Sequence, residues 1–245
     1  MEEIKQDKLR VENNNMCAKC GGLCCKKSGC GYIVQDFESF RFDDLKRKLD
    51  EGNISIKACL KVDYVGGKRT QKMVLVLKAR SVDKGVVDLI SASSQCKMWT
   101  PQGCSYSLAD RPSLGAGLIP DINNECHENK YSYDEVVADW EKHQAGLEKL
   151  VKIYTGKKPA QVYHEQFIET MAPILAKRML GITNFTLGEE ELVEQIPFLR
   201  ETFPYLMEDA TRLALDHIKK AAEKNGLGAE KKPLNVLSTQ PKNKR

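Results

Sequence analysis

The spacing of apolar and polar positions changes character near residue 130. Before it, Met73-Val-Leu-Val-Leu77, continued by Lys78-Ala-Arg80, reads as one strand, Val86 to Ile90 as a second, and Asp43 to Leu49 as a short helix. Gly66-Gly67 marks a hairpin or loop tip ahead of the first strand. Between Pro101 and Pro120, Gly, Pro and Ser are dense enough to predict ordered loop. From Ser132 the period becomes helical: Val136, Trp140, His143, Leu147, Leu150 and Tyr154 fall at alternating steps of four and three and form one buried stripe. A second helix opens near Pro159, with an expected interruption at Pro173 and closure at Gly181, and carries Tyr163, Phe167, Met171 and Leu175. Thr186 and Glu189 form a capping box for a third segment, and Pro204 opens a fourth ending at Asn225-Gly226.

These elements predict an α+β fold: an irregular, loop-rich, metal-bound N-terminal region with a few short strands, followed by a small helical bundle. The expected divisions are a flexible start (1–15), a cysteine-bearing domain (16–130), a helical region (131–228) and a flexible basic tail (229–245).

Composition narrows the classes. With 38 Lys+Arg against 34 Asp+Glu, the surplus of +4 gives no reason to expect nucleic acid as the main partner. No apolar run is long enough to span a membrane, and the first residues lack a secretory apolar stretch, so the expected location is the cytoplasm.

The nine cysteines stand at 17, 20, 24, 25, 30, 59, 96, 104 and 126. In a reducing cytosol such clustering favours metal ligation or redox chemistry over a disulfide framework. Cys17-Ala-Lys-Cys20-Gly-Gly-Leu-Cys24-Cys25 is the most specific pattern: a CxxC turn brings two sulfurs to one metal, and small residues after it let backbone N–H groups approach the thiolates. Cys24 and Cys25 point to opposite sides of an extended chain, so they serve two metals, or one is ligand and the other core. Cys96 and Cys104 flank a tight reversal and form the second half of the expected site. Cys126 is a further ligand candidate, with His127 beside it, and Cys30 sits in a Gly-flanked loop that suits ligation. Cys59, between Ala58 and Leu60, reads as a core thiol.

Cys17, Cys20-Gly21, Cys24-Cys25, Cys96, Gly103-Cys104-Ser105 and Arg111-Pro112 together resemble the YkgJ-type cysteine-cluster family of zinc- or iron-chelating domains. In that family a further Cys follows the Arg-Pro pair by three positions, where this chain has Gly115; Cys126 would then play its part. The resemblance implies metal binding through Cys17, Cys20, Cys24, Cys25, Cys96 and Cys104, with Cys126 as the later ligand; Cys30 joins the expected ligand set on its loop context. Relatives that methylate flagellin lysines imply an iron–sulfur alternative.

Other motifs are absent from the sequence: no HExxH, Walker A or GxSxG occurs, and Gly115-Ala-Gly117 lacks a dinucleotide-binding context. His143 is expected as a satisfied core histidine, and Arg111 as a counter-charge to the thiolates. The favoured reading is a cytosolic cysteine-cluster protein chelating zinc, preferred over iron or an iron–sulfur cluster, whose helical half offers a surface to a protein partner. The alternative is a zinc- or iron–sulfur-dependent enzyme, lysine-methylase-like, acting on a protein or small molecule.

Overall fold

A computed structural model describes residues 22, 25–26, 29–92, 95–107, 110–120 and 126–224. It shows a mixed α+β architecture with small open sheets and a C-terminal helical bundle. After a 3-10 turn at Val34–Asp36 come helix α1 (Phe42–Asp50) and the long strands β1 (Ile54–Val65) and β2 (Lys68–Ala79). Short elements follow: β3 (Trp99–Thr100), β4 (Gly103–Cys104), α2 (Ser113–Ala116), β5 (Leu118–Pro120) and β6 (Cys126–Asn129). The remainder is helical: α3 (Tyr133–Glu141), α4 (Gln144–Thr155), α5 (Pro159–Met179), α6 (Leu187–Thr202) and α7 (Pro204–Lys224).

Strand β1 carries the period-two pattern of a half-buried strand, with Ile54, Ile56, Ala58 and Leu60 alternating with Ser55, Lys57 and Lys61. It pairs antiparallel with β2, Val65 opposite Lys68, across a two-residue turn. Gly66 and Gly67 take φ of +58° and +78°, the left-handed pair that a tight hairpin needs. Two further segments widen this ribbon at its base. Val86–Leu89 runs parallel to β1, with Ile56 N donating to Val86 O (2.7 Å), Asp88 N to Ile56 O (2.9 Å) and Ala58 N to Leu89 O (3.0 Å). Residues 30–32 line the other side, with Tyr32 N donating to Leu77 O (2.9 Å) and Ala79 N to Cys30 O (2.8 Å).

Both sides are finished by glutamine amides standing in for a peptide group. Gln166 of α5 accepts from Leu89 N (2.7 Å) and donates to Val87 O (3.0 Å). Gln144 of α4 accepts from Leu75 N (2.8 Å) and donates to Leu75 O (2.9 Å).

One apolar cluster joins this sheet to α1, α3 and α4, with Trp140 fully buried among Phe37, Phe40 and Tyr32. A second joins α5, α6 and α7, and Tyr163 touches both. The helical stripe from Val136 to Tyr154 is split in two, because the chain leaves helical geometry at His143 (φ −112°, ψ 7°), whose ring stacks on Phe40 at 3.9 Å. Helix α5 runs unbroken through Pro173. The lost backbone hydrogen bond costs about 3 kcal/mol, and burial of Met171, Ala172, Ile174 and Leu175 around it offsets that cost.

Thr186 accepts from Glu189 N (3.3 Å), and the Glu189 carboxylate accepts from Thr186 N (2.8 Å) and Lys177 Nζ (2.7 Å). Thr186→Ala is expected to destabilise the protein by about 1 kcal/mol, read as a lower denaturant midpoint with unchanged slope. The expected end of α7 at Asn225-Gly226, and the two termini expected to be flexible, lie outside the described residues.

Candidate functional site

The C-terminal end of β2 gathers the segments that carry the cysteines. Cys25 has helical backbone, Lys26 N beside it donates to Gly22 O (3.0 Å), and the Cys25 carbonyl accepts from Cys96 N at 2.6 Å. Cys96 faces Ser81 as an antiparallel bridge, flanked by Val82 N donating to Gln95 O (2.8 Å) and Lys97 N to Arg80 O (2.8 Å). Cys104 on β4 pairs with Trp99 on β3, and Lys26 lies over the Trp99 ring at 5.1 Å. The Cys30 side chain packs on Gly115, where an added Cβ would come within 2.9 Å of its Sγ. Position 115 thus has no room for a cysteine unless Cys30 moves. Cys96 is buried, whereas Cys25, Cys30 and Cys104 are partly exposed.

Two tyrosines wall this end. Tyr32 donates to Tyr106 Oη (3.4 Å), which donates to Asn53 O (3.3 Å). Burial pushes the Tyr32 hydroxyl well above the ordinary tyrosine range and raises that of Tyr106, and the neighbouring Cys96 adds to both.

Beside them Lys78 is fully buried, its Nζ donating to Ser81 Oγ (2.9 Å) and touching Asp88 Oδ2 at 2.7 Å. Burial lowers the lysine below its ordinary value, and the Asp88 charge opposes the shift. Neither partner stands out in the sequence. The only local signal is that Lys78 continues the alternate positions of Val74 and Val76, which are buried.

No family model, curated protein or solved structure matches the chain. The resemblance to the YkgJ-type family is therefore not sustained. The donor placement corrects the chemistry as well. Among the described residues no group of three or more His, Cys, Asp or Glu could hold a metal ion, whereas a thiolate zinc site needs about four donors converging on one point. Cys25, Cys30, Cys96 and Cys104 come from four separate segments and do not form such a group. Among the described residues nothing therefore supports zinc, iron or iron–sulfur cofactors, the metal ion as partner, a metal-bound N-terminal region, the chelating function or the metal-dependent enzyme alternative, and none of these readings is carried further. Cys17, Cys20 and Cys24 lie outside the described residues, as do the side chains of Cys126 and His127.

Cys59 is a core thiol, opposite Val74 in the β1–β2 pair. His164 contacts Asp209 at 3.1 Å, and Glu165 pairs with Lys157. A cavity of about 380 Å³ lies between residues 83–92 and α5, with Asp88, Glu169, Thr170 and Glu189 in its wall. Its Asp88 and Glu189 carboxylates are already held by Lys78 and Lys177. Among the described residues no helix is long and apolar enough to cross a membrane.

Proposed function

We propose that the protein is a thiol-based redox-responsive protein in which Cys25 and Cys96 are the reacting pair. The observation that carries this reading is the 2.6 Å hydrogen bond from Cys96 N to Cys25 O. The link draws the two backbones together: residues that exchange such bonds in an antiparallel ladder stand about 5.5 Å apart, inside the span of roughly 4.4–6.8 Å that a disulfide bridges. Their difference in burial assigns the roles. Cys25 is partly exposed and meets the oxidant; Cys96 is buried and resolves the product. The Cys25 thiolate attacks a hydroperoxide, breaking its O–O bond to give a sulfenic acid and an alcohol, or water from hydrogen peroxide. The Cys96 thiolate then attacks that sulfur, the S–O bond breaks as the S–S bond forms, and the departing hydroxide takes up a proton to become water; the two electrons lost by the thiol pair end on the peroxide oxygens, and the two thiol protons in the alcohol (or water) and the water released. Buried Lys78 interacts electrostatically with Cys96, and a nearby ammonium favours a thiolate.

The test is trapping with dimedone after one equivalent of hydrogen peroxide. Cys96→Ser is expected to accumulate the adduct on Cys25, Cys25→Ser to lose it, and Cys59→Ser to behave as wild type. An adduct spread evenly over the cysteines, or its absence from Cys25 in Cys96→Ser, would overturn the assignment.

A further inference from the structure

At the opposite end of the β1–β2 ribbon the chain presents a different surface. The base of the sheet is closed on both sides, by Val86–Leu89 and Gln166 along β1 and by residues 30–32 and Gln144 along β2. Because Leu75 gives both its N–H and its C=O to Gln144, the odd-numbered residues of β2 direct their backbone groups away from β1. Met73, Gln71 and Arg69 repeat that direction farther out, and among the described residues no backbone bond closes this stretch. The edge is therefore open where the ribbon leaves the body of the protein.

Charge is concentrated on the same stretch. Residues 57–72 hold Lys57, Lys61, Lys68, Arg69 and Lys72 against Asp63, a surplus of four. That equals the formal net charge of the whole chain, +4, so the other residues balance. Three of these cations, Lys68, Arg69 and Lys72, are on β2 itself.

The fold also shows how the ribbon accommodates a carboxylate. Lys61 and Lys72 are paired directly across the strands, an arrangement of like charges that is unfavourable by itself. Glu141 of α3 accepts from Lys61 Nζ (2.9 Å) and Lys72 Nζ (2.8 Å) through separate oxygens. The two bonds hold its carboxyl below the ordinary range, that to Lys72 first.

We propose that the outer edge of β2, from Arg69 to Met73, is a docking site for an extended acidic peptide segment that adds as a further strand. Strand addition takes its affinity from the open backbone groups and its selectivity from side chains at alternate positions. Lysines on an edge ordinarily guard against uncontrolled pairing. This guard is selective by sign, since it repels basic strands and admits an acidic one.

The probe is a fluorescein-labelled octapeptide of alternating glutamate and valine, followed by anisotropy against the full chain. Binding is expected to weaken with salt and to fall at least tenfold when a central residue of the peptide is proline. Gln71→Pro, which removes an outward N–H on β2, should lower affinity at least tenfold. Val62→Pro, which does the same on β1, should change it less than twofold. Affinity unaltered by the peptide proline, equal losses from the two protein variants, or tighter binding of a duplex DNA of matched charge would each overturn the proposal. The proline-bearing peptide keeps the test valid even if a protein variant misfolds.

Discussion

Replacing Asp88 with alanine is expected to destabilise the protein by about 3–5 kcal/mol, because it strands a buried ammonium. Lys78 has no exposure, and Asp88 is the carboxylate that touches it. Ser81 would remain as a hydrogen-bond acceptor, but a hydroxyl does not neutralise a charge. The same variant severs the tie between β2 and the Val86–Leu89 segment, so denaturation followed by fluorescence should show a lower midpoint. The pH dependence gives a second readout. Burial makes Lys78 hold its proton less tightly in the folded chain than in the unfolded one, whose ordinary value is 10.5. The unfolded state therefore binds more protons as pH approaches that value from below, and stability rises with pH across the window. Asp88→Ala removes the opposing charge and should steepen that rise. A loss under 1 kcal/mol with an unchanged pH slope would show that the pair contributes little.

Trp140→Ala is expected to cost about 3–5 kcal/mol, the usual range for emptying a large aromatic site in a core. Trp140 is fully buried, meets the edges of Phe37 and Phe40 at 5.9 and 5.7 Å, and donates from Nε1 to Tyr32 O at 3.0 Å. Its removal leaves a void between α3 and the sheet and an unsatisfied carbonyl on the segment that carries Cys30 and Tyr32. Trp140→Phe keeps most of the ring and should cost less. Urea unfolding of the two variants measures the difference, and equal values would mean that the hydrogen bond rather than packing carries the effect.

The helical half is legible because its signals are local. Thr186 with Glu189, Pro159 at a helix start and the stripe from Val136 to Tyr154 each act within a few residues, and each recurs in the structure. The departures arise where tertiary contacts override that local chemistry. Pro173 does not break α5 because both neighbours are buried. The α3–α4 break is masked in the sequence because His143 falls on the same stripe that Phe40 covers from far along the chain. Strand β1 has a clear alternation from Ile54 to Leu60, but it lacks the continuous apolar run that makes β2 conspicuous.

The cysteine-bearing end is partly legible. The cysteine pattern singles out eight residues as metal ligands; of these, the segments of Cys25, Cys30, Cys96 and Cys104 meet at one end of the sheet, but they form no metal-holding group among the described residues. Spacing does not fix which sulfurs can converge, because that depends on Gly115 yielding its place to Cys30 and on β2 pairing with residues 30–32. The Lys78–Asp88 pair is illegible for the same reason: the two residues meet only after the chain turns between β2 and the Val86–Leu89 segment.

Mapping the disulfides in the full chain oxidised with hydrogen peroxide tests whether Cys25 and Cys96 react as a pair. Non-reducing proteolysis and mass spectrometry should yield one dominant cross-link, joining the peptide that contains Cys25 to the peptide that contains Cys96, and the link should vanish on treatment with dithiothreitol. A dominant link between any other two cysteines, or full retention of both thiols after complete consumption of the peroxide, would contradict the account.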